Sequence, residues 1–548
     1  MKTPSLATSI WRDSFILSDS EQPASLQDFR PTDTDCGVLD PQTLNAIEVD
    51  ALFDAINYTQ THIGKLNLYR TLVRPMSDAQ ILQQKQAAVR ELESNPDMHQ
   101  VLQQFIENRA LGEASLYHLL YGEFKGGLAT VTPASGSKKL EFGGYGYYQY
   151  IDGTRFVVEL VEATNALPRP QTAYLYELLN TICVFGQSRT YGLMHGPVYL
   201  ANGKFKTKEE KPRFWPAFRF QPTMFKWLPM LIFIAAISGI LVFFHTMLPE
   251  LAASYIGYGI LALTVPLVPI VLLAIRVSDR DSIIYPLREQ FRQSPELAKA
   301  LEALGMLDEL LSFRRYAQSY DKAMTLPDIL DRTYHSMKVT QARNPLLDKV
   351  IPDFVPNDIT LDGFDRLLII TGPNSGGKTA YCKTVVQIQL LGQIGCYIPA
   401  LEAQLVPVEH IFYQVPDAGS LDAGIGRFGH ELKRTREIFF RSTPRSLVIL
   451  DELSEGTTFE EKMTLSEYIL KGFHKLGGST LLVTHNHELC ERLQSESIGS
   501  YLQAEFASQG PTHRLIAGIS RVSHADRVAT EIGFSQADVE KHLAARNQ

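Results

Sequence analysis

The residues with the clearest chemical purpose lie together. Gly372, Pro373, Asn374, Ser375, Gly376, Gly377, Lys378 and Thr379 satisfy the spacing G-x-x-x-x-G-K-[ST]. Glycines at 376 and 377 let backbone N–H groups approach phosphate oxygens, and a helix starting at this point favours their negative charge. Lys378 is placed to reach β- and γ-phosphates, which gives it a role in catalysis as well as binding. The Thr379 hydroxyl is a Mg²⁺ ligand of the right kind. A nucleoside triphosphate, ATP, with Mg²⁺ is the matching pair.

Such a loop works only between a strand and a helix, and both are legible. Leu367-Leu-Ile-Ile-Thr371 is a short apolar run of the kind that forms a buried parallel strand. Val385, Ile388, Leu390 and Leu391 then follow at helical spacing. A second strand, Ser446–Leu450, ends in Asp451 and Glu452, where a doubly wound sheet presents ligand-contacting groups. Asp451 is the expected Mg²⁺ carboxylate, and Glu452 the group that orients or deprotonates the attacking water. A third strand, Thr480–Thr484, ends in His485, read as a γ-phosphate sensor, while its neighbour His487 is expected on the surface. The competing reading of Asp451-Glu452 as an ordinary surface pair is weakened by its place about 70 residues after the phosphate loop in an α/β pattern.

The chain has 548 residues, enough for two to four domains. An apolar share of 45% excludes a disordered chain, and 52 basic against 60 acidic residues argue against nucleic-acid binding by bulk positive charge. Cys36, Cys183, Cys382, Cys396 and Cys490 are scattered, which fits a reducing compartment and suggests neither a disulfide framework nor a metal cluster. Met1–Leu17 lacks the apolar core of a secretory signal, and residues 18–37 read as an irregular lead-in.

Between Lys226 and Arg276 lie 49 residues with one formal charge, Glu250. A turn around Pro249 divides them into Trp227–Phe244 and Leu251–Ile275, roughly 27 and 37 Å long as helices against a hydrocarbon core of about 30 Å. The expectation is a transmembrane hairpin over 227–275, its second limb tilted or kinked at Pro266 and Pro269. The alternative is a helical hairpin buried in a soluble core. Lys204, Lys206, Lys208, Lys211, Arg213, Arg219 and Lys226 precede the hairpin, and Arg276, Arg280, Arg288 and Arg292 follow it. That bias predicts a two-pass protein of the inner (cytoplasmic) membrane, with both termini and the ATPase domain cytoplasmic. The basic lead-in reads first as a topology signal and second as a contact to anionic headgroups.

The phosphate loop, the segment Asp451-Glu-Leu-Ser-Glu-Gly-Thr-Thr458 and Thr484-His-Asn-His-Glu-Leu489 together resemble the ATPase domain of MutS, the DNA mismatch-repair family. Ala342-Arg-Asn-Pro-Leu-Leu347 and Phe354-Val-Pro-Asn357 resemble that family's lead-in, which implies that Phe354 stacks on adenine. Gly518-Ile-Ser-Arg-Val-Ser-His-Ala525 through Gly533-Phe534 resembles its C-terminal dimerisation segment. The resemblance is specific over 338–545 and weaker over 39–120 and 285–335. There Leu39–Glu48, Gly64–Met76, a helix around Gln80–Glu93 and the leucine stripe Leu297, Leu301, Leu304, Leu307, Leu311 resemble core and lever helices.

Two departures matter. The family's signature segment opens on Ser-Thr-Phe, whose Ser reaches the other subunit's γ-phosphate; the hydroxyl positions here are Gly426 and Arg427, before Phe428. Arg427 could act as a finger on phosphate, or activation across the dimer could be weakened. A core beginning by residue 40 leaves no room for a mismatch-reading domain, and the hairpin stands where the family carries its DNA clamp. Gly143–Tyr150, rich in tyrosine, reads as an ordinary loop rather than a base-stacking platform.

The fold class expected is therefore an α/β P-loop NTPase domain plus an all-α core/lever domain interrupted by a transmembrane hairpin. The divisions are 1–38 lead-in, 39–226 core and lever, 227–275 hairpin, 276–337 returning helices, 338–510 ATPase and 511–548 helical dimerisation segment. The function expected is a membrane-anchored, homodimeric ATPase coupled to DNA, with DNA resting on the resemblance alone. The alternatives are a slow nucleotide-switched membrane tether and, less favoured, a transporter ATPase, for which a Leu-Ser-Gly-Gly-Gln signature is missing.

Overall fold

The computed structural model describes residues 23–32, 37–126, 141–213, 216–223, 227–247, 249–264, 267–373, 376–416, 427–453, 459–507, 510–520 and 532–546. The phosphate-loop strand forms at Leu367–Thr371, with all five residues buried. It belongs to a six-stranded sheet whose spatial order is His410–Gln414, Ser446–Asp451, Ser479–Thr484, Leu367–Thr371, Ser500–Ala507, Gly510–Ala517. The first five strands are parallel and the last is antiparallel. Parallel strands covered on both faces need continuous apolar runs, which is why Leu447–Leu450 and Leu481–Val483 do not alternate with polar residues. A smaller sheet, in the order Asp328–Ile329, Glu402–Leu405, Met337–Ala342, Asn357–Leu361, adjoins it.

One expected boundary is corrected. The division at 510/511 falls inside the main sheet, because Gly510–Ala517 pairs with Ser500–Ala507 rather than starting a helical segment. Gly510 (φ 137°) and Gly518 (φ 135°) bracket the strand in the left-handed region, a turn signal at each end. Helix resumes at Gln536–Arg546, and residues 521–531 of the family-like segment lie outside the described residues.

The helical half is built around Pro295–Gln318. Its leucine stripe predicts one buried face, but every residue from Leu301 to Phe313 is buried. The helix is a central post. Small residues let neighbours close in: a Cβ on Gly305 would stand 3.0 Å from the Ile63 carbonyl. The polar residues on the post are matched by partners. Arg70 pairs with Glu302 at 3.1 Å and Lys85 with Glu309 at 3.0 Å. Asp308 accepts from the N–H groups of Gln60 and Thr61, both at 2.8 Å, and from the Thr61 hydroxyl at 2.7 Å. It thereby organises the N-terminus of the helix His62–Val73. A Cβ on Gly64 would come within 2.3 Å of that Asp308 carboxylate, so only glycine fits.

The tyrosine-rich segment is not the loop expected of it. Tyr147–Asn165 is a helix entered through Gly146 (φ 81°), and Tyr145, Tyr147 and Tyr150 are buried while Tyr148 is exposed. The tyrosines fill the core.

The apolar run forms helices Trp227–Met247 and Glu250–Thr264, then Leu267–Asp279, which continues through a wider turn at Arg280–Ile284 into Tyr285–Arg292. The first two fold back on each other, and Leu241 lies 3.6 Å from where a Gly257 Cβ would stand. Their outer faces are not covered by protein: Ile232, Val242, Tyr258 and Leu263 are all more than 60% exposed.

Two stability predictions follow from the post. Asp308→Ala strands three donors and is expected to cost about 3 kcal/mol or more, and Gly64→Ala a comparable amount, in chemical denaturation of the purified chain. Glu113 accepts from His62 N and Ile63 N at 2.6 and 2.8 Å, yet burial pushes its pKa up to about 7. A raised carboxyl pKa gives stability that is complete below about pH 4.5 and is lost as pH rises through about 7. Glu113→Gln is expected to flatten the melting temperature across that window; an unchanged slope would contradict the assignment.

Candidate nucleotide-binding site

The site begins where the chain leaves the Leu367–Thr371 strand. Gly372 (φ 128°) and Gly377 (φ 84°) take conformations costly to other residues, and Gly377 caps the helix Lys378–Gln393. A Cβ on Gly376 would fall 2.5 Å from the Ala504 Cβ. The loop is thus pressed against the strand Ser500–Ala507, and any side chain at 376 would push it off. Asn374 and Ser375 lie outside the described residues.

Lys378 is 3% exposed, with its ammonium donating to the carbonyls of Gly372 at 2.6 Å and Pro373 at 2.8 Å. Burial pulls its pKa down, opposed by the charges of Asp451 and Glu452. The Thr379 hydroxyl donates to Asp451 Oδ2 at 3.3 Å. Asp451 ends its strand in register with Val483, and burial raises its pKa against the pull of Thr379. A hydroxyl and a carboxylate oxygen brought together are hard donors of the kind Mg²⁺ takes, so the residues present fit that ion.

Glu452 sits just past the strand with φ 63°, a left-handed conformation that costs a non-glycine residue roughly 1 kcal/mol or more. Three bonds hold it there. Its N–H donates to Val483 O at 2.9 Å, while its carboxylate accepts from the Thr484 hydroxyl at 3.2 Å and from His485 N at 3.1 Å. Lys462 stands 3.8 Å away. His485 is exposed at the tip of the neighbouring strand, its pKa lowered by surrounding protein and then by Lys378. His487 is exposed as expected, at the start of the helix His487–Ser495.

The lead-in motif also has a structural purpose. Asn344 is buried and satisfies its whole amide: it donates to Thr384 Oγ1 at 3.0 Å and Gln387 Oε1 at 2.9 Å, and accepts from Leu346 N and Leu347 N. Arg343 pairs with Asp348 at 2.9 Å and donates to Phe354 O at 3.3 Å. Phe354 is half-buried on the chain entering the strand Asn357–Leu361. The Asn357 side chain exchanges bonds with His513 O (3.0 Å) and Leu515 N (2.8 Å).

That contact reveals what the sequence reading missed. His513 Nδ1 lies 3.5 Å from where a Gly377 Cβ would stand, and Phe506 comes within 3.6 Å of the same position on Gly376. Ala504, Phe506 and His513 therefore wall the phosphate loop. The bracketing glycines 510 and 518 were the available signal. Arg427 opens the helix Arg427–Arg441, and Gly426 lies outside the described residues, as do residues 454–458 after the Asp451-Glu452 pair.

Residues 368–540 match the family model described as MutS domain V. The chain is 34% identical over 207 residues to a DNA mismatch repair protein MutS of Oceanobacillus iheyensis, covering 37% of this chain and 23% of that protein. It is 35% identical over 207 residues to a DNA mismatch repair protein MutS of Caldicellulosiruptor saccharolyticus, covering 36% and 23%. A DNA mismatch repair protein MutS 2 of Halobacterium salinarum is 30% identical over 262 residues, covering 46% and 30%. The matched part thus spans under a third of the length of these relatives. The C-terminal part of this chain is MutS-like, and its α/β architecture fits the ATPase domain of that family.

Thr379→Ala is expected to raise the Mg²⁺ concentration needed for nucleotide binding at least about tenfold while leaving the fold intact. Because the pKa of Asp451 is raised, Mg²⁺-dependent binding is expected to weaken on acidification earlier than an ordinary aspartate would allow. Titrating Mg²⁺ at several pH values against a fluorescent ATP analogue measures both.

Proposed function

We propose that this chain is a membrane-anchored, MutS-like ATPase that hydrolyses ATP to ADP and phosphate and couples the change to DNA-repair-related events. The observation that carries the catalytic part is the convergence of buried Lys378, Thr379 hydrogen-bonded to Asp451, and a strained, triply held Glu452 at adjoining strand ends. Gly376, Gly377 and the helix N-terminus after them offer N–H groups to the phosphates, and Lys378 trades its carbonyl partners for β- and γ-phosphate oxygens. Thr379 and Asp451 are the residues to hold Mg²⁺, which when bound neutralises phosphate charge. Glu452, fixed by Thr484 and the His485 N–H, orients the attacking water. His485 senses the γ-phosphate, and Phe354 is the residue to stack on the adenine. Arg427 at the head of its helix is the candidate to reach the facing site of a second copy, in a homodimer with two composite sites.

Anchoring rests on the apolar helices, the first two folded against each other, with Leu231 and Phe243 on the first, Tyr255 on the second and Ile270 on the third exposed. Among the described residues of 254–292 there is an apolar window long enough to cross a bilayer and not buried in the protein, while Leu231–Met247 is a shorter apolar helix. The orientation that follows the basic flanks puts both termini and the ATPase in the cytoplasm, with a two-pass hairpin in the inner membrane. DNA enters through the relatives, which are named for mismatch repair.

A second reading is a slow nucleotide-switched tether, motivated by Gly426 and Arg427 standing where the family has hydroxyls. Single-turnover hydrolysis in detergent separates the two. The ATPase reading expects Glu452→Gln to cut phosphate release about a hundredfold with ATP binding kept; the tether reading expects almost no release from the parent chain. Carbonate-washed membranes are expected to retain the full chain, and release into the supernatant would sink the anchor. A duplex-DNA mobility shift that weakens with salt is expected, and its absence at low salt would remove DNA from the account.

A further inference from the structure

We propose that the small sheet preceding the hairpin is a docking surface for the anionic leaflet of the membrane, an inference that rests on the membrane-anchored reading. Tyr199–Ala201 is the central strand, flanked by Lys204–Lys206 and Phe218–Arg219. Register divides its two faces. Leu200 opposes Phe205 and Phe218, whereas Tyr199 opposes Lys206 and Arg219, and Ala201 opposes Lys204. Residues directly across an antiparallel pair share a face. One face therefore carries Lys204, Lys206 and Arg219 around Tyr199, and Lys211 adds its ammonium 5.0 Å from the Tyr199 ring. The other face buries Phe205 and leaves Phe218 75% exposed at the sheet's edge. The basic face suits a headgroup layer, where its cations meet lipid phosphates, while Phe218 stands on the opposite face at the sheet's edge.

Charge and distance both favour this partner. From Tyr199 through Lys226 there are seven basic residues and two acidic ones, Glu209 and Glu210. Glu210 is already engaged by Arg189 at 2.8 Å. Phe220 N donates to Val198 O at 2.8 Å, so the sheet holds the chain to that point. Only residues 221–226 separate it from the first apolar helix, a reach of at most about 20 Å. A short helix, Arg189–His195, links the sheet to the chain that returns from the hairpin. Arg189 donates to Phe205 O at 2.7 Å, and its neighbour Thr190 bonds Ser294 at 3.0 Å, the cap of the central post. Beside these contacts lies a cavity of about 670 Å³, lined by Arg189, Lys204, Gln290 and Glu296 among others, with Glu296 taken up by Ser294 at 2.9 Å. Leaflet charge thus bears on the element around which the helical half is packed.

The test is hydrogen exchange of the full chain in nanodiscs of phosphatidylcholine alone or of phosphatidylcholine mixed with phosphatidylglycerol. Slower exchange across 199–219 in the anionic discs is expected, fading as salt shortens the screening length. Lys204→Gln, Lys206→Gln and Lys211→Gln are each expected to weaken that protection about fivefold. The salt titration needs no variant, so a misfolded substitution does not leave the question open. Equal exchange in both discs, with the chain still inserted, overturns the proposal and spares the anchor. Failure of the chain to enter discs at all overturns the anchor and this inference with it. Protection by inorganic phosphate at matched ionic strength would assign the surface to a free anion, and protection by duplex DNA in neutral discs alone would assign it to nucleic acid; either result overturns the leaflet assignment.

Discussion

One ammonium group held out of water sets the terms for the nucleotide site. Lys378 is buried beside two carboxylates, and burial works against its charge while Asp451 and Glu452 work for it. A cation in that position must have oxygen partners, and the carbonyls of Gly372 and Pro373 supply them. Phosphate oxygens are better partners, because they carry full negative charge and meet the N-terminus of a helix at the same point. The glycines, the buried strand and the antiparallel hairpin of strands behind the loop are requirements of the same arrangement. Each keeps the lysine's surroundings close enough to be dry and open enough to accept a ligand.

The helix that carries Lys378 is also the joint between the two halves of the molecule. It is buried on nearly all sides, so its polar side chains need partners, and those partners lie on other elements. Gln387 donates to Ile47 O at 2.9 Å, Gln389 to Val406 O at 3.0 Å, and Gln393 to Val408 O at 2.7 Å. Lys383 pairs with Glu48 at 2.6 Å, and Arg434 with buried Asp40. A movement of the phosphate loop therefore pulls on the first core helices directly. The first core helices meet the post through Ser312, which donates to Ile56 O at 3.0 Å. The helices that follow pack on the post through Asp308, Glu302 and Glu309, and the post's cap Ser294 bonds Thr190.

What was legible in the sequence was local, and what was missed depended on contacts distant in the chain. The strand Leu367–Thr371 was read residue for residue because a fully buried parallel strand leaves an unbroken apolar run. The positions of Asp451, Glu452 and His485 at strand ends were legible because each stands one or two steps beyond such a run. The strand Gly510–Ala517 was missed because edge strands need no apolar run, and Thr512, His513 and Arg514 look like surface residues on any element. Its histidine reaches the phosphate loop across more than a hundred residues of chain. The leucine spacing marked the post as a helix, but not its burial on all sides, which depends on Arg70, Lys85 and Thr61 making Glu302, Asp308 and Glu309 interior. Pairing of that kind leaves no periodic trace.

The central claim is that Lys378 grips the phosphates of a nucleotide in this chain. Equilibrium titration of Mg·ATP into the detergent-purified full chain, beside the Lys378→Ala variant, measures it directly. The account predicts saturable binding by the parent chain and a loss of at least about a hundredfold in affinity for the variant, as the removal of a charge-assisted contact requires. Equal affinity in the two proteins, with the variant folded, would contradict it.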